Sequence, residues 1–194
     1  MDDGKSVSMR QPAMTLEEFL DWEERQELRY ELDGFEPRAM MGGTIIHARI
    51  ASNLAGALRG RLRPPCFAVG SDARLRLART VRYPDAMVIC SPVPRDATWV
   101  TAPTIVFEVL SSSTARVDRI EKNREYQAAL SIQRYVLLEQ SSIAAEVYAR
   151  DGERWVRSTV TGDETLHLPE IGTEFALSEI YAGIELEGSQ AEGD

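Results

Sequence analysis

Long apolar runs are missing from this chain of 194 residues, and so is any dense use of cysteine. No stretch holds the roughly 20 apolar residues that a membrane-crossing helix needs, so no membrane partner is expected. Residues 1–12 are polar and lack the apolar centre of a signal peptide. The two cysteines, Cys66 and Cys90, have no metal-type spacing. Cys90 ends an apolar strand-like run, so a buried free thiol is expected in place of a disulfide, and with it a reducing, cytoplasmic compartment. Positive charge is also short. Lys and Arg number 22 against 31 Asp and Glu, a net charge of -9, which argues against a protein that coats DNA without regard to sequence.

The charge is uneven, however. Between Arg59 and Arg124 there are 12 basic residues against 6 acidic ones, and elsewhere 10 against 25. A basic middle can face a phosphate backbone while the acidic remainder keeps the protein soluble; chance clustering of arginines on wet surfaces explains it equally well.

Residues 1–13 carry no periodicity and read as a disordered tail, and 187–194 as an acidic disordered tail, leaving one domain over 14–186. Thr15-Leu16-Glu17-Glu18 has the pattern of a capping box opening a helix. Leu28 to Leu32, the Asp33-Gly34 turn and Phe35 to Met41 predict a hairpin. Ile46, Ile50, Leu54, Leu58 and Leu62 recur every four residues and predict a long amphipathic helix, which Pro64-Pro65 ends. Strands are expected over 67–69, 73–77 and 86–90. Ile105 to Leu110 is nearly all apolar, as in a central strand covered on both faces. A helix over about 117–130, a strand over 134–138, a hairpin over 143–160 and a short helix over 177–181 complete the reading. Elements in this order make an α/β or α+β sandwich.

Glu108 stands inside Ile-Val-Phe-Glu-Val-Leu, where a carboxylate is costly unless it is paired, protonated or bound to metal. Asp85 follows Pro84 at the entrance of the 86–90 strand. By itself a Pro-Asp pair is an ordinary turn, but neighbouring strands can set Asp85 beside Glu108. Two carboxylates so placed repel unless a cation lies between them, and hard oxygen ligands suit Mg²⁺ or Mn²⁺. Asp118, Lys122 and Tyr126 share a helix face, and an amine there can stabilise charge developing on a phosphate. An exposed Asp–Lys pair is the plainer account of that spacing. Glu31, on the first strand, is a further carboxylate, or a solvated one. His47 opens the long helix, where the helix N-terminus favours a neutral imidazole making local hydrogen bonds. His167 has no evident company.

Tyr83-Pro84-Asp85, the run from Glu108 to Thr114, then Asp118, Lys122 and Tyr126 together resemble the Uma-two family, restriction-endonuclease-like proteins of the PD-(D/E)XK nuclease superfamily. Tyr30 to Gly34, His47, Arg134 to Leu138 and Glu146 to Tyr148 extend the likeness over about 16–184. The resemblance implies a restriction-endonuclease-like core: a mixed β-sheet flanked by helices, with additional β-hairpins. It implies Mg²⁺ held by Asp85 and Glu108, with Glu31 matching the glutamate of the early element. The superfamily's usual lysine, two positions after the second acid, is Leu110 here, so the amine falls to Lys122. Asp118, Tyr126 and His47 match family positions in supporting places.

Three functions follow as alternatives. The first is a Mg-dependent endonuclease acting on DNA. The second is a catalytically silent protein of the same fold that binds or regulates. The third is a structural subunit in which Glu108 only forms a buried salt bridge, to an arginine or Lys122. A two-fold homodimer is expected on general grounds, with the hairpin near Trp155 as a possible surface.

Overall fold

Tyr126 and Phe107 reach the interior from opposite sides of one sheet, and that sheet organises the larger part of the chain. The computed structural model describes residues 13–40, 42–111 and 114–186. The expected tails lie outside the described residues, apart from residue 13. The chain forms two compact units, one built from 13–40 with 76–82 and the other from 42–75 with 83–186.

In the smaller unit, α1 (Leu16–Glu23) opens with the expected capping box. The Glu18 N–H donates to Thr15 Oγ1 at 3.2 Å, and the Thr15 N–H donates back to Glu18 Oε2 at 2.8 Å. Strands β1 (Tyr30–Asp33) and β2 (Glu36–Ala39) form a hairpin. Gly34 supplies the positive φ, +67°, that this tight turn requires. A short strand, β5 (Val81–Arg82), joins β1 on its other side.

The larger unit begins with α2 (Ile45–Arg61), capped by Thr44, whose Oγ1 accepts the His47 N–H at 3.1 Å. Ile50, Leu54 and Leu58 are fully buried as the four-residue repeat requires, but Ile46 is 40% exposed. Each four-residue step overshoots a full helical turn by about 40°, so a strict i+4 row winds off the buried face at its ends.

Strands β3 (Phe67–Gly70), β6 (Ala86–Ile89), β8 (Ile105–Val109), β9 (Arg134–Leu138), β10 (Ala144–Asp151) and β11 (Arg154–Thr161) form a six-stranded sheet in the order β11-β10-β9-β8-β6-β3. It is mixed: β8 and β9 run parallel and the other pairings are antiparallel. Two short strands outside it, β4 (Arg74–Arg76) and β7 (Trp99–Val100), pair in parallel. On one face, Ala86, Val88, Ile105, Phe107, Val136 and Val147 pack with Ile50, Leu54 and Leu58 of α2. The opposite face takes the helical segment from Ala115 to Ala128, where the Tyr126 ring meets Tyr135 of β9 edge to face at 4.8 Å. All five residues of β8 are buried, as expected for a strand covered on both sides.

Three further features depart from the sequence reading. The helix expected over 117–130 is built of α3 (Ala115–Val117), a π-helical turn (Asp118–Lys122) and α4 (Asn123–Ala128). A hairpin of β12 (Thr165–Leu168) and β13 (Thr173–Ala176) goes unannounced, because four-residue strands split by Pro169 and Gly172 are too short for a visible alternation. Cys90 is not a free thiol: it is bonded to Cys66. The β3–β6 register pairs Phe67 with Ile89, so the residues flanking that pair, Cys66 and Cys90, stand opposite each other across two adjacent strands. The sheet register, invisible in cysteine spacing alone, makes the bridge.

Candidate functional site

The β6–β8 ladder pairs Ala86 with Phe107 in antiparallel register, so the preceding residue, Asp85, comes opposite Glu108. This is the juxtaposition anticipated from the two acidic positions. Asp85 sits just outside β6, anchored to the end of β8: the Val109 N–H donates to its Oδ2 at 2.7 Å. His47 Nε2 lies 3.2 Å from the same oxygen. The first turn of α2 thus reaches the Asp85 side of the site.

His47, expected to be neutral at its helix N-terminus, has a carboxylate partner in Asp85. The hydrogen bond to Asp85 raises the imidazole above its ordinary pKa; partial burial works the other way, and the Asp85 charge and the Val109 backbone add to the rise.

Glu108 is 4% exposed and Lys122 5%. Lys122 Nζ donates to Glu108 Oε1 at 2.9 Å and the Tyr126 hydroxyl donates to the same oxygen at 3.0 Å. Lys122 Nζ also lies 3.1 Å from Asp118 Oδ1, an ion pair without the alignment of a hydrogen bond. The exposed Asp–Lys pair considered from spacing is therefore a buried one, and it opens onto Glu108. The π-turn runs over these same residues, Asp118 to Lys122. Such turns are rare and recur at functional sites. Beneath them the Tyr135 hydroxyl donates to the Asp118 carbonyl at 3.2 Å. Burial holds that phenol well above its usual pKa, and the charges of Glu108 and Asp118 push the same way.

A side-chain link that sequence reasoning missed ties the two walls together. Thr44 Oγ1 donates to Gln140 Oε1 at 2.7 Å, and Gln140 Nε2 donates to the Leu110 carbonyl at 2.6 Å. The cap of α2 is thereby fixed to the end of β8. Neither residue type announces such a role in sequence, because the link spans 96 residues.

Glu31 lies in the smaller unit, where its Oε2 is 3.2 Å from Arg82 Nη1, while Arg82 Nη2 reaches Asp33 Oδ1 at 3.0 Å. His167 has company after all: it pairs across the β12–β13 hairpin with Glu174, Nδ1 to Oε2 at 2.7 Å. A cavity of about 220 Å³ between α2 and β3, lined by Arg59, Leu62, Cys66 and Phe67 among others, includes none of these site residues.

Among the described residues no group of three or more His, Cys, Asp or Glu side chains is arranged to hold a metal ion. Asp85 and Glu108 bring two carboxylates opposite each other, with the Lys122 amine on Glu108. Such a pair fits Mg²⁺, which keeps several of its own waters and commonly takes only one or two carboxylates. No helix among the described residues is long and apolar enough to cross a membrane.

Comparison with known proteins agrees with this architecture. A protein of Anabaena variabilis, whose crystal structure is described as that of "a putative nuclease belonging to DUF820", superposes with a TM-score of 0.72 at 19% identity, over 87% of this chain and 97% of its own. That likeness shows the shared fold, a mixed α+β nuclease-like one. Two uncharacterized proteins of Synechocystis sp. are similar in sequence. One, slr1290, is 34% identical over 89% of this chain and 94% of its own length. The other, sll1609, is 29% identical over 77% and 89%. The model of the Uma2 family, described as "Putative restriction endonuclease", matches residues 16–179. The chain therefore belongs to the Uma2 family.

Proposed function

We infer that this chain is a divalent-metal-dependent endonuclease that hydrolyses phosphodiester bonds in DNA, working in the cytoplasm through a domain spanning 14–186. The observation that carries the reading is the facing of Asp85 and Glu108 across neighbouring strands, with the Lys122 ammonium on one of the two carboxylates. Asp85 and Glu108 would hold Mg²⁺ or Mn²⁺. The cation, when bound, supplies Lewis-acid polarisation of a phosphoryl oxygen.

The remaining roles belong to the chain's own groups. Lys122 brings a positive charge to the carboxylate that faces Asp85, where it can offset negative charge developing on a phosphate. The Tyr126 hydroxyl holds Glu108 Oε1 in place, and Asp118 sets a second carboxylate 3.1 Å from the Lys122 amine. His47 and the Val109 N–H fix Asp85 Oδ2. Glu31 enters as a further carboxylate on the strength of the family resemblance. The basic stretch from Arg59 to Arg124 would steer phosphates. A homodimer would present two such sites, one to each strand of a duplex.

The test is cleavage of supercoiled, linear duplex and single-stranded DNA in Mn²⁺, wild type beside Asp85→Ala, with circular dichroism confirming that the variant is folded. Wild-type cutting that Asp85→Ala abolishes supports the reading. DNA left whole by the wild type with either metal contradicts it.

A second reading has its own observation. Glu108 and Lys122 form a buried pair, and no group of three or more His, Cys, Asp or Glu side chains is arranged to hold a metal ion among the described residues. A catalytically silent protein of this fold, binding nucleic acid without cutting it, would look the same. It predicts DNA binding that Asp85→Ala leaves unchanged and no product at any metal concentration.

A further inference from the structure

Strand β11 forms one edge of the six-stranded sheet, and no strand among the described residues pairs with its outer side. The Gly162 N–H donates to the Ile143 carbonyl at 2.9 Å, which fixes the parity of the ladder. Residues 154, 156, 158 and 160 turn their backbone groups toward β10; 155, 157, 159 and 161 turn theirs away. Thr161 is closed off locally by Glu164, whose carboxylate accepts its N–H at 2.6 Å and whose own N–H donates to its carbonyl at 3.0 Å. Among the described residues, the outward N–H and C=O groups of Trp155, Arg157 and Thr159 have no backbone partner.

The usual guards of an exposed edge are missing here. The strand has no proline, and its register with β10 runs unbroken from Ala144–Thr161 to Asp151–Arg154, without a bulge. Of its two arginines, Arg157 is answered from β10, its Nη2 lying 2.9 Å from Glu146 Oε2, and Arg154 stands at the turn end of the strand opposite Asp151. Val156 is 52% exposed, and the indole N–H of Trp155 is buried without an acceptor.

We propose that β11 is a docking edge for a second copy of this chain, pairing antiparallel with its own counterpart about a two-fold axis at Val156. An antiparallel strand paired with itself is isologous, so one edge serves both partners. The chemistry selects the register. An axis at Arg157 would set two guanidinium groups directly opposite, an unfavourable cross-strand pair. An axis at Ser158 would set Trp155 opposite Thr161, whose backbone groups Glu164 already occupies. The axis at Val156 sets two exposed valines against each other on one face. On the other face it sets Trp155, whose ring already carries the Arg150 guanidinium of its own chain at 4.6 Å, opposite Arg157 of the second copy, so that the indole lies between two cations. Trp155 and Arg157 then exchange backbone hydrogen bonds across the axis. The surface rests on the sheet edge and not on the catalytic reading, so a dimer that leaves DNA uncut would sink the one and spare the other.

Two measurements on the full chain test it. In a Val156→Cys variant the two thiols meet at the axis, as a non-hydrogen-bonded pair about 4.5 Å apart at Cα, within disulfide reach. Copper–phenanthroline, accepting their two electrons as two protons leave, should give a cross-linked dimer on a non-reducing gel, and should leave Ser158→Cys monomeric. Sedimentation from about 1 to about 100 µM should show a wild-type dimer, retained in Arg157→Lys and lost in Arg157→Pro, which lacks the outward N–H. The proposal is overturned by a wild type that stays monomeric throughout, by Ser158→Cys cross-linking as readily as Val156→Cys, or by a folded Arg157→Pro variant that remains dimeric. Amides of 155 and 157 protected from hydrogen exchange at every protein concentration would mean that the edge is covered within one chain, and would overturn it too.

Discussion

Lys122 Nζ lies 2.9 Å from Glu108 Oε1, and both side chains are buried. Fourteen residues separate them, on a π-turn and a central strand. Removing one charge of a buried pair leaves the other without compensation, at a cost of roughly 3–5 kcal/mol. Lys122→Met should therefore lower unfolding stability by about 3 kcal/mol, because Glu108 and Asp118 are both left facing an apolar side chain. Glu108→Gln with Lys122→Met should recover part of that loss. Urea unfolding of the two variants measures it; a single variant as stable as wild type would mean that the pair is not closed.

His47 offers a pH signature. Its imidazole is raised above the ordinary value, first by the hydrogen bond to Asp85. A group raised on folding contributes stability that is complete below its unfolded pKa and is lost as pH rises through the raised one. In metal-free protein the His47 ring signals in an NMR titration should have a midpoint above about 6.5. Asp85→Asn should bring that midpoint down. A His47 midpoint unmoved by Asp85→Asn would break the assigned contact.

The Cys66–Cys90 bridge closes a loop of 24 residues. Chain-entropy reasoning assigns a loop of that length about 3 kcal/mol of stabilisation. Cys66→Ser with Cys90→Ser should lower the thermal midpoint by several degrees, and dithiothreitol should reproduce the effect in wild type. If the protein works in a reducing compartment, the fold should persist without the bridge. Loss of structure in dithiothreitol would place the protein's work outside that compartment.

Much of this architecture was legible because local pattern and tertiary role agree. The run around Glu108 announced a strand covered on both faces, and β8 is one. Thr15 and Glu18 announced a capping box, and both of its hydrogen bonds form. The meeting of Asp85 with Glu108 was reachable from the resemblance and from strand order. What stayed hidden depends on register and on distant partners. Cys66 meets Cys90 only because β3 and β6 pair at Phe67 and Ile89. His47 is set by Asp85, 38 positions away, and not by its own helix. The π-turn at Asp118–Lys122 is hidden too, because the segments on either side of it, three and six residues long, are too short to show a shift in apolar spacing.

The account turns on whether Asp85 and Glu108 share a divalent cation. Titration of the metal-free protein with Mn²⁺, followed by the loss of free-ion EPR signal, reads that directly. One site per chain is predicted in wild type, with binding lost in folded Asp85→Ala and folded Glu108→Gln. A wild type that leaves the Mn²⁺ signal unchanged, or an Asp85→Ala variant that binds as wild type does, would contradict it.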